Sequence, residues 1–213
     1  MTNKGFTLVE ILVAVMLTGI LTTLALAPVV VTVRRVVETQ QEYTDLAALS
    51  RTMNFITRDL NSAMRLAANV ITVIDHEAMG GNDDDVLMIM STSPAALGLP
   101  SGTLVYKIEE GGMLHGNILP GLYRWVFPGK APNSIKYDTL KGEDGQLVLP
   151  FVNEFCVEIP AGTHEDDRNK EYSGPLPAGI YIRIRRGERT TYEFAGSDEE
   201  DERNELESVI VFP

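Results

Sequence analysis

The chain has 213 residues, enough for one domain of ordinary size plus an extended helix, and a net charge of −12. Six basic and five acidic side chains through residue 67 give +1, whereas the 12 basic and 25 acidic residues after it give −13. So acidic a C-terminal part offers no basic stripe for nucleic acid and disfavours broad contact with an anionic membrane surface. A single cysteine, Cys156, excludes an internal disulfide framework, and its setting between Phe155 and Val157 predicts a small buried side chain in a strand.

The chain opens with Lys4-Gly5-Phe6-Thr7-Leu8-Val9-Glu10, the start of an apolar run reaching Val33 in which Glu10 is the only ionisable side chain. Residues 6–33 exceed the roughly 20 that a bilayer-spanning helix needs. A carboxylate inside such a span costs at least about 2.5 kcal/mol, so Glu10 is a functional-site candidate with a partner to find. An ordinary secretory signal is the competing reading, since Ala25-Leu26-Ala27 offers a small-x-small cleavage site. The run before it is too long and contains Glu10, and Pro28 after the cut hinders cleavage.

The opening segment resembles the class III signal of type IV pilins and pseudopilins: a basic residue, glycine, phenylalanine and then glutamate four residues on. The resemblance implies that a prepilin peptidase recognises Lys4, cuts between Gly5 and Phe6, and methylates the new Phe6 amine. It also implies that Glu10, with Thr7 beside it, serves assembly. The Phe6 amine would be charged near the apolar boundary, and a carboxylate one turn along can neutralise it on its own chain or on an adjacent subunit. The resemblance points to the adjacent subunit.

Residues 34–67 contain no Gly or Pro, and Leu46, Leu49, Met53, Ile56, Leu60, Ala63 and Ala67 recur at alternating spacings of three and four. This predicts a single helix from about Phe6 to about Ala68, bent near Pro28, with an amphipathic outer half whose stripe packs on the head. Arg51, Arg58, Asp59 and Arg65 fall away from that stripe. The segments are therefore a leader (1–5), a membrane and assembly helix (6–33), an amphipathic helix (34–68) and a head (69–213). Lys4 before the span and Arg34 and Arg35 after it leave the positive-inside count close to a tie. The resemblance, not the charge, places the head in the periplasm of a single-pass inner-membrane protein.

From Val70 onward, β-prone runs alternate with turns: Val70–Ile74, Val86–Met90, Thr103–Ile108, Leu122–Phe127, Leu147–Leu149, Phe151–Ile159, Ile180–Arg185, Thr190–Phe194 and Ser208–Phe212. Arg186-Gly187-Glu188-Arg189 reads as a hairpin turn joining Ile180–Arg185 to Thr190–Phe194. The fold class is α+β, a long helix packed on an antiparallel β-rich head. Asp198-Glu199-Glu200-Asp201-Glu202 reads as a solvated loop.

Chemistry is sparse. His76, His115 and His164 lack metal-ligand spacing, and there is no P-loop, dinucleotide turn or G-x-S-x-G. The chain is expected to be no enzyme and to need no cofactor. Asp83-Asp84-Asp85 and Glu165-Asp166-Asp167-Arg168-Asn169 are oxygen-rich, but neither has the EF-hand glycine and glutamate, and polar turns account for them. A structural calcium, found in some pseudopilin heads, is the alternative.

Within the resembled families, the head is longer than in small major pilins and pseudopilins. The order helix, Arg58-Asp59-Leu60, strands, then Leu176-Pro177 before a strand is similar to the J-type minor pseudopilin of type II secretion. PilW-type minor pilins share much of that outline, and Glu10 argues against the K-type. J-type heads often follow a tyrosine strand with Leu-x-Arg. Tyr106 fits, whereas Leu114 is followed by His115 and Gly116. The expected role is in a periplasmic pseudopilus tip that primes assembly. Its expected partners are the I-, K- and H-type minor subunits, the major pseudopilin, the prepilin peptidase and the inner-membrane assembly platform. A membrane-anchored sensor or enzyme is the reading from another class, but such an anchor needs neither Gly5-Phe6 nor Glu10.

Overall fold

The computed structural model describes residues 8–65, 67–77, 82–92, 101–110, 118–160, 168–187 and 205–212. It divides into two compact units, Met1–Asp45 and Leu46–Pro213. Helix α1 spans Leu8–Asn61 and contributes to both.

In the first unit α1 runs through Pro28. Thr18, Thr22, Thr23 and Thr32 turn their hydroxyls back onto the carbonyls of Ala14, Thr18, Gly19 and Pro28, at 2.7–2.9 Å. Those bonds satisfy the hydroxyls within the helix itself, so an otherwise apolar surface needs no outside partner for them.

Among the described residues of the second unit, ten strands form two antiparallel sheets. The larger has the order β5-β4-β3-β2-β1-β8 and the smaller β10-β9-β6-β7. The strands are β1 (Ile71–Ile74), β2 (Val86–Ser91), β3 (Gly102–Glu109), β4 (Gly121–Pro128), β5 (Gln146–Pro150), β6 (Val152–Pro160), β7 (Arg168–Asn169), β8 (Tyr172–Gly174), β9 (Gly179–Arg186) and β10 (Glu205–Val211). The chain turns from the larger sheet to the smaller at Phe151, whose φ of 61° is left-handed. Its amide donates to the Pro120 carbonyl at 2.8 Å, and its carbonyl accepts from Gly187 at 2.9 Å. Two ladder-like bonds hold a conformation that a bulky residue rarely adopts.

The main core joins Leu49, Met53, Ile56 and Leu60 of α1 to the inner faces of both sheets, among them Leu104, Phe155, Ile182 and Ile184. A smaller cluster of Val86, Met88, Val105, Tyr123 and Trp125 lies apart from it and is covered by Ile135, Tyr137 and Leu140. These belong to a segment of three short 3-10 turns between β4 and β5. Trp125 Nε1 donates to the Lys141 carbonyl at 3.0 Å, and a Cβ on Gly145 would come within 2.7 Å of the indole, so only glycine lets that segment approach. Burial on both faces explains why β2 reads Val-Leu-Met-Ile-Met without alternation.

The helix ends at Asn61, short of the expected Ala68. Ser62 and Ala63 tighten the last turn with bonds to the Asp59 and Leu60 carbonyls, and Ala63 then bridges to Ser91. Met64 donates to the Met90 carbonyl at 2.8 Å, so pairing with the end of β2 overrides the helix propensity of residues 63–68. Leu46, expected in the packed stripe, is 44% exposed. The hairpin expected between Ile180–Arg185 and Thr190–Phe194 is also corrected. β9 pairs with β10 along one edge and β6 along the other, which leaves no edge for a third strand over Tyr181–Arg185. Residues 190–194 themselves lie outside the described residues, as do 198–202.

Candidate functional site

The residues assigned to processing, Lys4, Gly5, Phe6 and Thr7, lie outside the described residues. Glu10 lies in the first described turn of α1 and is exposed. The apolar stretch Leu8–Val37 is 30 residues long, with a mean hydropathy of 2.2 and none of its span buried within the protein. Its length and the apolar surface up to Val33, before Arg34 and Arg35, fit a membrane anchor that carries one carboxylate near its start.

In the head, the polar centre is a group that the stripe pattern misplaced. Asp59 was expected on the wet side of α1 and is instead fully buried. Its Oδ2 accepts from Arg124 Nε at 2.7 Å and from the Tyr106 hydroxyl. Arg124 is also fully buried, and its guanidinium carbon lies 5.1 Å from the centroid of the Phe55 ring, with Arg58 5.5 Å from the same ring. Burial and the adjacent Asp59 charge push the Tyr106 hydroxyl well above its ordinary range, so it remains a donor. Asp59 thus ties the last turns of α1 to β3 and β4.

Leu122-Tyr123-Arg124 in β4 has the Leu-x-Arg spacing that Leu114-His115-Gly116 lacks, and Leu114 itself lies outside the described residues. β4 follows the Tyr106 strand and pairs with it, placing Tyr106 opposite Arg124. An arginine within a run as apolar as Leu122–Phe127 is the signal that could have found this centre, because an arginine in a buried strand needs a carboxylate.

Five of the six carboxylate oxygens of Asp83, Asp84 and Asp85, the stretch weighed for calcium, meet protein partners. Asp83 meets Lys170 at 3.1 Å and Arg183 at 3.2 Å, while Asp84 Oδ2 lies 3.2 Å from His76 Nδ1. Asp85 accepts from the amides of His76 at 3.3 Å and Val157 at 2.7 Å. Phe155 in β6 donates to Asp83 and accepts from Asp85, so these three residues lace the start of β2 to the smaller sheet. Burial pushes the Asp85 carboxyl up to about 7, against the pull of its two amide donors. Among the described residues, no three His, Cys, Asp or Glu side chains converge on a metal position. Glu165–Asp167, His115 and His164 lie outside the described residues. Cys156 is buried in β6, and desolvation with the neighbouring Asp83 raises its thiol, which holds it neutral.

The family description that matches is the prokaryotic N-terminal methylation motif, over residues 1–26. No curated protein and no solved structure matches the chain. The motif and the apolar helix behind it support a type IV pilin-like or pseudopilin protein. Such a motif implies prepilin peptidase processing and assembly of a membrane-associated filament.

Proposed function

We propose that the chain is a minor pseudopilin of a type II secretion system, most similar to the J-type. It would be held in the inner membrane with its head in the periplasm until it enters the pseudopilus tip. There it would meet the I-, K- and H-type subunits and the major pseudopilin, and prime assembly on the inner-membrane platform. The observation that carries the reading is the methylation motif of residues 1–26 leading into the apolar span Leu8–Val37. The choice of member rests on Asp59, with Tyr106 and the Leu122-Tyr123-Arg124 element gathered on it. In this reading the chain is a structural subunit without catalytic residues or a cofactor.

Deleting the gene in its host tests the proposal. Proteins normally released across the outer membrane should accumulate in the periplasm while surface pili persist, and the intact gene should restore release. Lost pili with normal secretion would instead identify a PilW-type minor pilin. If neither changes, the span is a simple anchor for a sensor.

A further inference from the structure

The ion pair at the centre of the head is joined by one bond where its shape allows two. A guanidinium beside a carboxylate frequently forms two parallel bonds, each from a different nitrogen to a different oxygen. Here both donors fall on Asp59 Oδ2: Arg124 Nε at 2.7 Å and the Tyr106 hydroxyl. Arg124 Nη1, Arg124 Nη2 and Asp59 Oδ1 are buried and meet no hydrogen-bond partner among the described residues. Both side chains are fully buried, so bulk solvent does not reach these atoms. Phe55 cannot take the place of a partner, because its ring, with the guanidinium carbon 5.1 Å from the centroid, offers only a π face. A buried ion pair is tolerated when its remaining hydrogens and lone pairs are satisfied, and three orphaned atoms on one pair fall short of that.

The unmet demand is of two kinds. Nη1 and Nη2 need an acceptor, whereas Oδ1 needs a donor. A halide accepts but cannot donate, and it adds a charge to a pair whose charges already cancel. A metal ion would serve Oδ1 and be repelled by the guanidinium. Water donates and accepts without carrying charge. We propose that the Asp59–Arg124 pair encloses resident water, which accepts from Arg124 Nη1 or Nη2 and donates to Asp59 Oδ1. Buried waters in folded proteins hold polar groups of this kind, with about three hydrogen bonds each. The water is then an internal part of the joint between the last turns of α1 and strands β3 and β4.

The test is a crystal structure of the full-length chain in a lipid mesophase, at a resolution that shows ordered water, repeated on crystals soaked in bromide. Water density should lie within hydrogen-bond distance, about 2.7–3.2 Å, of Asp59 Oδ1 and of at least one Arg124 Nη atom. No anomalous bromide signal should appear there. The double variant Asp59→Leu with Arg124→Met removes all three orphaned atoms, so it should lose that density while the head stays protease-resistant. If the double variant does not fold, the unaltered chain with isotope-labelled arginine in detergent micelles gives a second measurement. The Arg124 Nε proton should then show dipolar cross-relaxation with long-lived water. Direct Nη–Oδ1 bonds with no water between them, protein carbonyls on both Nη atoms, or density that persists in the folded double variant overturns the proposal. Absent cross-relaxation overturns it too, and a bromide signal at the pair overturns it in favour of an anion.

Discussion

At the level of single residues, two buried carboxylates make opposite use of their surroundings. Asp59 has a cationic partner, and its value lies in what happens when that partner goes. Arg124→Met leaves Asp59 buried without its counter-charge and should destabilise a soluble fragment of residues 34–213 by about 3–5 kcal/mol in a urea titration. Replacing both partners, Asp59→Leu with Arg124→Met, should recover most of that loss, since an apolar pair of similar volume avoids the desolvation cost. If the double variant is as unstable as the single one, the pair is not the source of the effect. Asp85, by contrast, is fully buried and its carboxyl is raised from 3.8 to about 7. Its folded form binds a proton that the unfolded chain has already released in that window, so stability falls as pH rises from about 4 to about 7. The slope from this group is at most about 1.4 kcal/mol per pH unit. Asp85→Asn should flatten that part of the stability–pH profile, and an unchanged slope would locate the titration elsewhere.

At the level of elements, a strand was legible whether one of its faces or both were buried. β9 has one wet face, and its alternation in Ile180–Arg185 is plain in the sequence. β2 has none, yet its Val-Leu-Met-Ile-Met run still reads as a strand, because β-prone residues between turn signals suffice. What could not be read was pairing. β7 and β8 are only two and three residues long and carry no apolar period of their own. The partner of β9 is supplied by residues 205–211 rather than by the nearest β-prone run. The amphipathic stripe located the core-facing side of α1 but not its limits. Packing begins after Leu46, helix ends before Ala63, and Asp59 sits inside because Arg124 awaits it on a strand far along the chain. These limits make a graded prediction. Leu60 is fully buried and Leu46 is 44% exposed. Leu60→Ala should cost about 2–5 kcal/mol as a core truncation, and Leu46→Ala less than about 0.5 kcal/mol. Equal losses at the two positions would mean that the first turn of the stripe is covered as well.

At the level of the whole molecule, function was legible in the first ten residues and nearly silent in the rest. A peptidase and an assembling filament read a linear signal, so the methylation motif of residues 1–26 stands out in sequence, whereas a contact surface on a head would spread its chemistry over several elements. Gly5→Val should block cleavage, because a β-branched side chain does not fit where the peptidase accepts glycine, and intact-mass analysis would then find Met1 retained. Glu10 separates anchoring from assembly. Glu10→Leu removes a carboxylate from the apolar span, so insertion should be unaffected or easier. If Glu10 neutralises the processed Phe6 amine of an adjacent subunit, the variant should insert, be cut after Gly5 and keep a protease-resistant head. It should nevertheless support less secretion in the deletion strain. Removing one member of a desolvated pair costs about 3–5 kcal/mol, and other contacts along the filament offset part of it, so a partial defect is the expected outcome. Full secretion from Glu10→Leu at native expression would show that the carboxylate has no part in assembly. A variant that is neither inserted nor cleaved would place its role earlier, at recognition by the peptidase.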